Sequence, residues 1–410
     1  MVTERREMEE TNEFFRCSRM WLLLTLIIAQ GHVSPVEVKN ITEVNPEQFM
    51  NISERIQYWG YPSEEYEVCT HDGYFLSLNR IPGEIFVFLG SKAAVLLTHC
   101  LNMEGSVWVA NMPDSSLAFI LADAGYDVWI GNNRGNSWSR RHQHLTIDQE
   151  EFWDFSFHEM GIFDLSATID FILQKTGQQQ IYYIGHSQGS SIGFVGFSEL
   201  PQLAEKIKIF FALAPSYNLQ GLISPEMQLL RLPDALIKII FGRKEFCLLS
   251  RSMRASVARK CSCYPIDSLC KQAIFLFCGF NEKNLNKSRT DVYLSRFPDY
   301  TSVKNFLHWG QVVKSGEFRY FDYGQEMLDK YSQTSPPLYR IEEITVPIAI
   351  WHGGQDWICQ PVEIEALLPR ITNLIHYKYF PDWNHFDFLW GLDAPQRLYR
   401  EILNLMEKQL

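Results

Sequence analysis

The chain has 410 residues, 46% of them hydrophobic and 21% charged, which is enough for a sizeable core in two domains or in one large α/β domain with an insertion. Its net charge of −11 and pI near 5.5 exclude nucleic acid and an anionic membrane surface as main partners, since both demand basic patches. Aromatic residues, at 14%, exceed what a bare scaffold needs and suit an apolar site.

Residues 1–19 are polar, carry several glutamates and read as a dispensable extension. Met20 to Ala29 (MWLLLTLIIA) is a short apolar run followed by small residues, so 20–34 reads as a secretory signal. It is too short for a transmembrane span, which needs ~20 apolar residues. Sequons at Asn40, Asn51 and Asn286 agree with export, and the expected location is secreted or lysosomal.

Short apolar runs then alternate with helical patterns. Ala93 to Leu97, Tyr126 to Ile130, Ile181 to Ile184 and Ile207 to Leu213 read as buried strands. Leu117 to Ala124, Phe157 to Lys175 and Ser190 to Leu200 read as the helices between them. This rhythm predicts βαβ units, a mostly parallel sheet and helices on both faces. It breaks at Pro215. From 215 to 339 the chain is irregular, helix-rich and holds a cysteine cluster at Cys261, Cys263, Cys270 and Cys278. Val346 to Trp351 and Asn373 to Phe380 restore the strands, and Ala394 to Met406 closes with a helix. The expected organisation is a core of 35–214 and 340–410 with 215–339 inserted as a helical cap and lid over the carboxyl ends of the strands, where such sheets bind ligands. In an oxidising compartment the cluster favours a short-loop disulfide; zinc is the rival reading, without a C-x-x-C pair or spaced histidines to support it.

Chemistry concentrates in IYYIGHSQGSSIGF, Ile181 to Phe194. A G-x-S-x-G between a buried strand and a small-residue helix predicts a tight turn that exposes the Ser187 hydroxyl, with Gly185 and Gly189 leaving room for the crowding. A serine needs a histidine base, and the histidine needs a carboxylate to fix its tautomer. Asp356 follows the strand ending in Trp351, and His385 lies in the loop before the last helix, giving the order Ser, acid, His. Asp382 and Asp387 are rival acids, placed too close to His385 in sequence to approach its far ring nitrogen. The oxyanion donors expected are the backbone amides of Gln188 and of Leu101 in the loop after the first parallel strand. No metal and no cofactor is called for.

These residues, with GYPSEEYEV (Gly60–Val68), SLAFILADAGYDVW (Ser116–Trp129), GNNRGNSWSRRH (Gly131–His142), ATIDFIL (Ala167–Leu173), SRTDVYLSR (Ser288–Arg296) and NHFDFLWGLDAPQ (Asn384–Gln396), resemble the acid lipases, the group of gastric and lysosomal acid lipase, from about Val44 to the end. The resemblance implies an α/β-hydrolase fold with a mobile lid and hydrolysis of neutral lipid esters, triacylglycerol or steryl ester, at a lipid–water interface without a cofactor. It implies a triad of Ser187, Asp356 and His385, a Cys261–Cys270 disulfide and a free thiol at Cys278; Cys263 has no counterpart in it. Leu229 to Phe241 would be a lid helix or plain cap packing.

Two departures set up the competing reading. The family usually has His-Gly-Leu where this chain has His99-Cys100-Leu101. A glycine at φ > 0 there would make Cys100 strained by roughly 1–2 kcal/mol and turn the Leu101 amide away. The alternative function is therefore a catalytically impaired, lipid-binding relative. Gly83 to Lys92 is also unusually apolar, with disturbed strand register as the expectation.

Overall fold

The computed structural model describes residues 45–83, 92–262 and 266–408. The extension, the signal segment, Asn40 and Cys263 lie outside the described residues.

Eleven strands occur among them: β1 (Glu64–Cys69), β2 (Tyr74–Ile81), β3 (Ala94–Thr98), β4 (Asp127–Gly131), β5 (Arg141–His142), β6 (Ile181–His186), β7 (Ile207–Leu213), β8 (Glu245–Phe246), β9 (Thr301–Ser302), β10 (Ile348–Gly353) and β11 (Leu374–Phe380). Nine form one sheet in the order β1-β2-β4-β3-β6-β7-β10-β11, with β5 on β2. The pairs from β4 to β11 are parallel, and β1, β2 and β5 add antiparallel strands at one side. Every residue of β3, β4, β6 and β10 is buried, because helices cover both faces. The outermost strand, β11, shows mixed burial instead, as an edge strand does.

The register beside the unusual apolar segment is regular. Ala94 to Leu97 pair with Asp127 to Ile130, and Val95 to Thr98 with Tyr182 to Gly185, so the expected disturbance does not occur in β3. Residues 84–91 themselves lie outside the described residues.

The longer helices are α1 (Ile52–Tyr58), α2 (Leu117–Asp123), α3 (Leu165–Thr176), α4 (Gln188–Glu199), α5 (Asp234–Phe241), α6 (Arg251–Cys261), α7 (Ile266–Cys278), α8 (Val303–Ser315), α9 (Pro361–Leu367) and α10 (Arg400–Glu407). Asn51 caps α1: its Oδ1 accepts from the Glu54 amide at 2.8 Å while Glu54 returns a bond to the Asn51 amide. The helical run expected at 157–175 is not uniform, because Met160–Asp164 winds as a π-turn before α3. There Gly161 meets α4 so closely that a Cβ would lie 2.7 Å from Val195 Cγ1. The turn also delivers Asp164 to the buried guanidinium of Arg134, whose Nε donates to Asp164 Oδ1 at 2.7 Å. The closing helix likewise begins with a π-turn at Pro395–Tyr399.

Between β7 and β10 the chain forms α5 to α8 and the β8–β9 ribbon. A Cys261–Cys270 disulfide ties the end of α6 to α7. The segment is bonded to the strand-end loops: the Cys278 carbonyl accepts from the His385 amide at 3.1 Å, and the Asp299 and Asn102 backbones are joined at 2.6 Å. The Asp299 carboxylate binds Arg254 and Ser137.

Candidate active site

Ser187 sits between β6 and α4 with φ 54° and ψ −118°, outside the regions ordinary side chains favour. Two crowded glycines permit the turn. A Cβ on Gly189 would lie 2.3 Å from the Thr98 carbonyl oxygen, and one on Gly185 2.5 Å from the Gly189 carbonyl. The Ser187 amide donates to the Leu213 carbonyl at 2.9 Å, which fastens the turn to β7. The hydroxyl therefore stands at the carboxyl end of the sheet, at the start of a twelve-residue helix.

Asp356, fully buried after β10, accepts from the amides of Ile358 and Cys359 on Oδ1, both at 2.8 Å. Its Oδ2 accepts from His385 Nδ1 at 2.7 Å. That bond puts the imidazole proton on Nδ1 and leaves the Nε2 lone pair for a proton from elsewhere. His385 is held at its backbone as well, since its carbonyl accepts from His186 Nε2 at 2.8 Å. Burial, with His385 alongside, holds the His186 pKa well below the usual imidazole range, so this neighbour stays neutral.

The rival acids are occupied elsewhere. Asp382 forms a two-pronged pair with Arg397 at 2.6 and 2.8 Å. Asp387 accepts from the Asn384 amide and from the side chains of Asn281 and Asn284.

Ser187 and His385 line one cavity with Cys100, Leu101, Gln188 and Ser216. Its apolar wall includes Leu219, Met227, Phe277, Trp309 and Phe386. Among the described residues Ser187 Oγ hydrogen-bonds Ser216 Oγ at 3.0 Å and makes no bond to His385. Hydrogen bonds of this kind are often long or misaligned until substrate arrives. No described residue takes a hydrogen bond from the Gln188 or Leu101 amides, so both are free for an oxyanion.

The loop after β3 corrects the expectation about Cys100. The residue in this loop with positive φ is Asn102, at 56°; Cys100 does not have it, so a side chain there costs no left-handed strain. Asn102 is fixed by its Nδ2, which donates to the Asp299 carbonyl at 2.8 Å. His99 Nε2 accepts from the Asn133 amide at 3.2 Å, so Nδ1 donates to the Cys100 carbonyl at 2.8 Å. Burial lowers the His99 pKa and keeps the ring neutral in that role. The impaired-enzyme reading loses its physical basis.

Several neighbours carried no pattern in the sequence. Gln188 Oε1 accepts from Asn305 Nδ2 at 2.9 Å and from Trp309 Nε1 at 2.8 Å, both on α8. Ser216 and Cys359 adjoin Ser187, with Ser216 Oγ 3.0 Å from Ser187 Oγ and Cys359 Sγ 3.2 Å from Ser216 Oγ. Each lies in a segment without periodicity or motif, and only the fold brings them together.

A profile of the α/β hydrolase fold matches residues 93–392, and one described as a partial α/β-hydrolase lipase region matches 52–112. Lipase member M of Homo sapiens is 51% identical over 95% of this chain and 93% of its own length. Lysosomal acid lipase/cholesteryl ester hydrolase of Homo sapiens is 51% identical over 90% of this chain and 93% of its own. The chain belongs to the α/β-hydrolase lipases. This hydrolase is also 47% identical to gastric triacylglycerol lipase of Homo sapiens, over 95% of this chain and 99% of that one. A solved structure of a putative lipase from Sulfolobus solfataricus shares its fold with a TM-score of 0.59 at 14% identity, covering 85% of this chain and 94% of that one. The lipase is thus a carboxylic ester hydrolase, and no helix among its described residues is long and apolar enough to cross a membrane.

Proposed function

We propose that this lipase hydrolyses neutral lipid esters, triacylglycerol or steryl ester, through an acyl-enzyme on Ser187. His385 Nε2 takes the Ser187 proton as the hydroxyl attacks the ester carbonyl, and returns it to the departing alcohol. Water, activated by the same nitrogen, then releases the fatty acid. Asp356 holds the ring tautomer and stabilises the imidazolium. The Gln188 and Leu101 amides meet the oxygen as it gains negative charge, the moment at which binding lowers the barrier. The observation that carries this reading is the shared cavity: a strained serine, an Asp356-bound imidazole and two amides without other partners face one apolar space.

We read 215–339 as a cap, supported by the way α8 and the end of α7 form part of the cavity wall. In α5 the side chain of Ile239 is 76% exposed while Ile237 is buried, as suits a lid helix that meets lipid. Export to a secreted or lysosomal location is supported by Asn51 and Asn286. Each uses its side-chain oxygen locally, Asn286 on Ser288, whereas a glycan attaches through nitrogen.

The test is fluorophosphonate labelling and hydrolysis of triacylglycerol and steryl ester by protein secreted from a glycosylating cell. Wild type labels and turns over; Ser187→Ala does neither, and His385→Ala and Asp356→Asn lose most turnover while remaining folded. Labelling that survives Ser187→Ala would refute the assignment.

A further inference from the structure

We propose that Asp356, Cys359 and His385 form a binding site for a soft divalent cation of the zinc or cadmium type, and that filling it switches the enzyme off. The switching half rests on the reading of His385 as the base; the binding half stands on geometry alone.

The donor atoms of a carboxylate, a thiol and an imidazole come within 4.8 Å of one another here, all three residues buried. This is a donor set that zinc and its heavier relatives select. Tetrahedral bond lengths place neighbouring donors about 3.4–3.6 Å apart, so closing on an ion takes movements of about an ångström. The ester chemistry proposed above uses no thiol. It lies 3.2 Å from Ser216 Oγ, itself 3.0 Å from Ser187 Oγ, so two hydroxyls stand close enough to complete the coordination. Ser216, Ser187 and His385 also line the cavity, which gives a cation its approach.

Charge favours occupation. The cation replaces the thiol proton, which leaves for solvent, and forms one metal–sulfur bond. Carboxylate, thiolate and a doubly charged ion then sum to zero, the arrangement a buried site tolerates best. Asp356 keeps its two amide bonds on Oδ1 and offers Oδ2. The imidazole remains neutral throughout. The ion takes Nδ1, the nitrogen that already faces Asp356, and the ring proton moves to Nε2. His385 can then no longer accept the serine proton. A cation therefore acts on the base, with the acyl-binding wall untouched.

The experiment titrates the full chain with cadmium and follows the ultraviolet thiolate-to-cadmium band, alongside ester hydrolysis in graded zinc. Wild type should gain a band that Cys359→Ala lacks, the other cysteines cancelling in the difference. The zinc concentration that halves hydrolysis, measured against each protein's own metal-free rate, should rise at least ~10-fold in Cys359→Ala. Cys359→Ser, closer in volume, repeats the comparison where the alanine form fails to fold. Ser187→Ala should keep the full cadmium band, which separates this proposal from the serine assignment. An unchanged band or unchanged zinc sensitivity in both Cys359 variants would overturn the proposal.

Discussion

Replacing Trp309 by Phe tests whether the oxyanion donor is positioned from a distance. In the native structure two donors on α8 hold the Gln188 side chain: Trp309 Nε1 at 2.8 Å and Asn305 Nδ2 at 2.9 Å, both on Oε1. Phe keeps most of the ring volume and removes one donor. The lost bond is worth about 1 kcal/mol, because Oε1 retains its second partner. If the Gln188 amide relaxes by that much, turnover falls about fivefold; complete loss of an oxyanion donor, ~10²–10³-fold, is the ceiling. The effect belongs to the transition state, so kcat should fall with KM nearly constant. Steady-state hydrolysis of a soluble short-chain ester measures both. In a Gln188→Ala background, where nothing remains to hold, Trp309→Phe should change kcat no further. An equal loss in both backgrounds, or a loss confined to KM, would mean that Trp309 acts only as cavity wall and would refute the positioning argument.

Cys100→Gly should leave kcat within about twofold and lower the melting temperature, since a backbone with ordinary φ gains only entropy in the unfolded chain; a tenfold rise in esterase rate would contradict this. Burial pushes the Asp387 carboxyl up to about 7, so between about pH 4 and 7 the folded state holds a proton the unfolded chain has lost. Stability drops through that window as pH rises, by up to ~1.4 kcal/mol per unit from this group, and thermal melts of Asp387→Asn should show a correspondingly flatter slope. Opening the Cys261–Cys270 link, which spans a sequence separation of 9, should cost roughly 2–3 kcal/mol by chain entropy, visible as an earlier melt of the Cys261→Ser, Cys270→Ser double variant. Gly189→Ala, driven against the Thr98 carbonyl, should yield little soluble protein, as expression trials will show.

The parallel core was legible because its strands are buried on both faces and therefore read as apolar runs, as in Ala94 to Leu97. The tight turn at Ser187 was legible because it demands small residues at fixed offsets. The meeting of Asp356 with His385 followed from the chain order the fold imposes on their loops. The Cys100 expectation failed for a local reason: the left-handed residue that turns the loop is two positions later, at Asn102, and an asparagine tolerates that conformation as glycine does. The π-turn at Met160–Asp164 was hidden because its cause, the meeting of Gly161 with Val195, is a tertiary contact. Asn305, Trp309, Ser216 and Cys359 were hidden for the same reason. Each is an ordinary residue in its own segment: Asn305 and Trp309 acquire their positions when the segment after β7 folds back on the strand ends, and Ser216 and Cys359 meet where the loops after β7 and β10 converge.

The place of β7 in the sheet has a consequence for synthesis. Its outer side pairs with β10, whose first residue, Ile348, leaves the ribosome long after Leu213. At ~5–20 residues per second the nascent chain carries an unpaired, mostly apolar edge for roughly 7–27 seconds. Chaperones that shield such edges, and any change that slows translation between the two strands, therefore bear on yield.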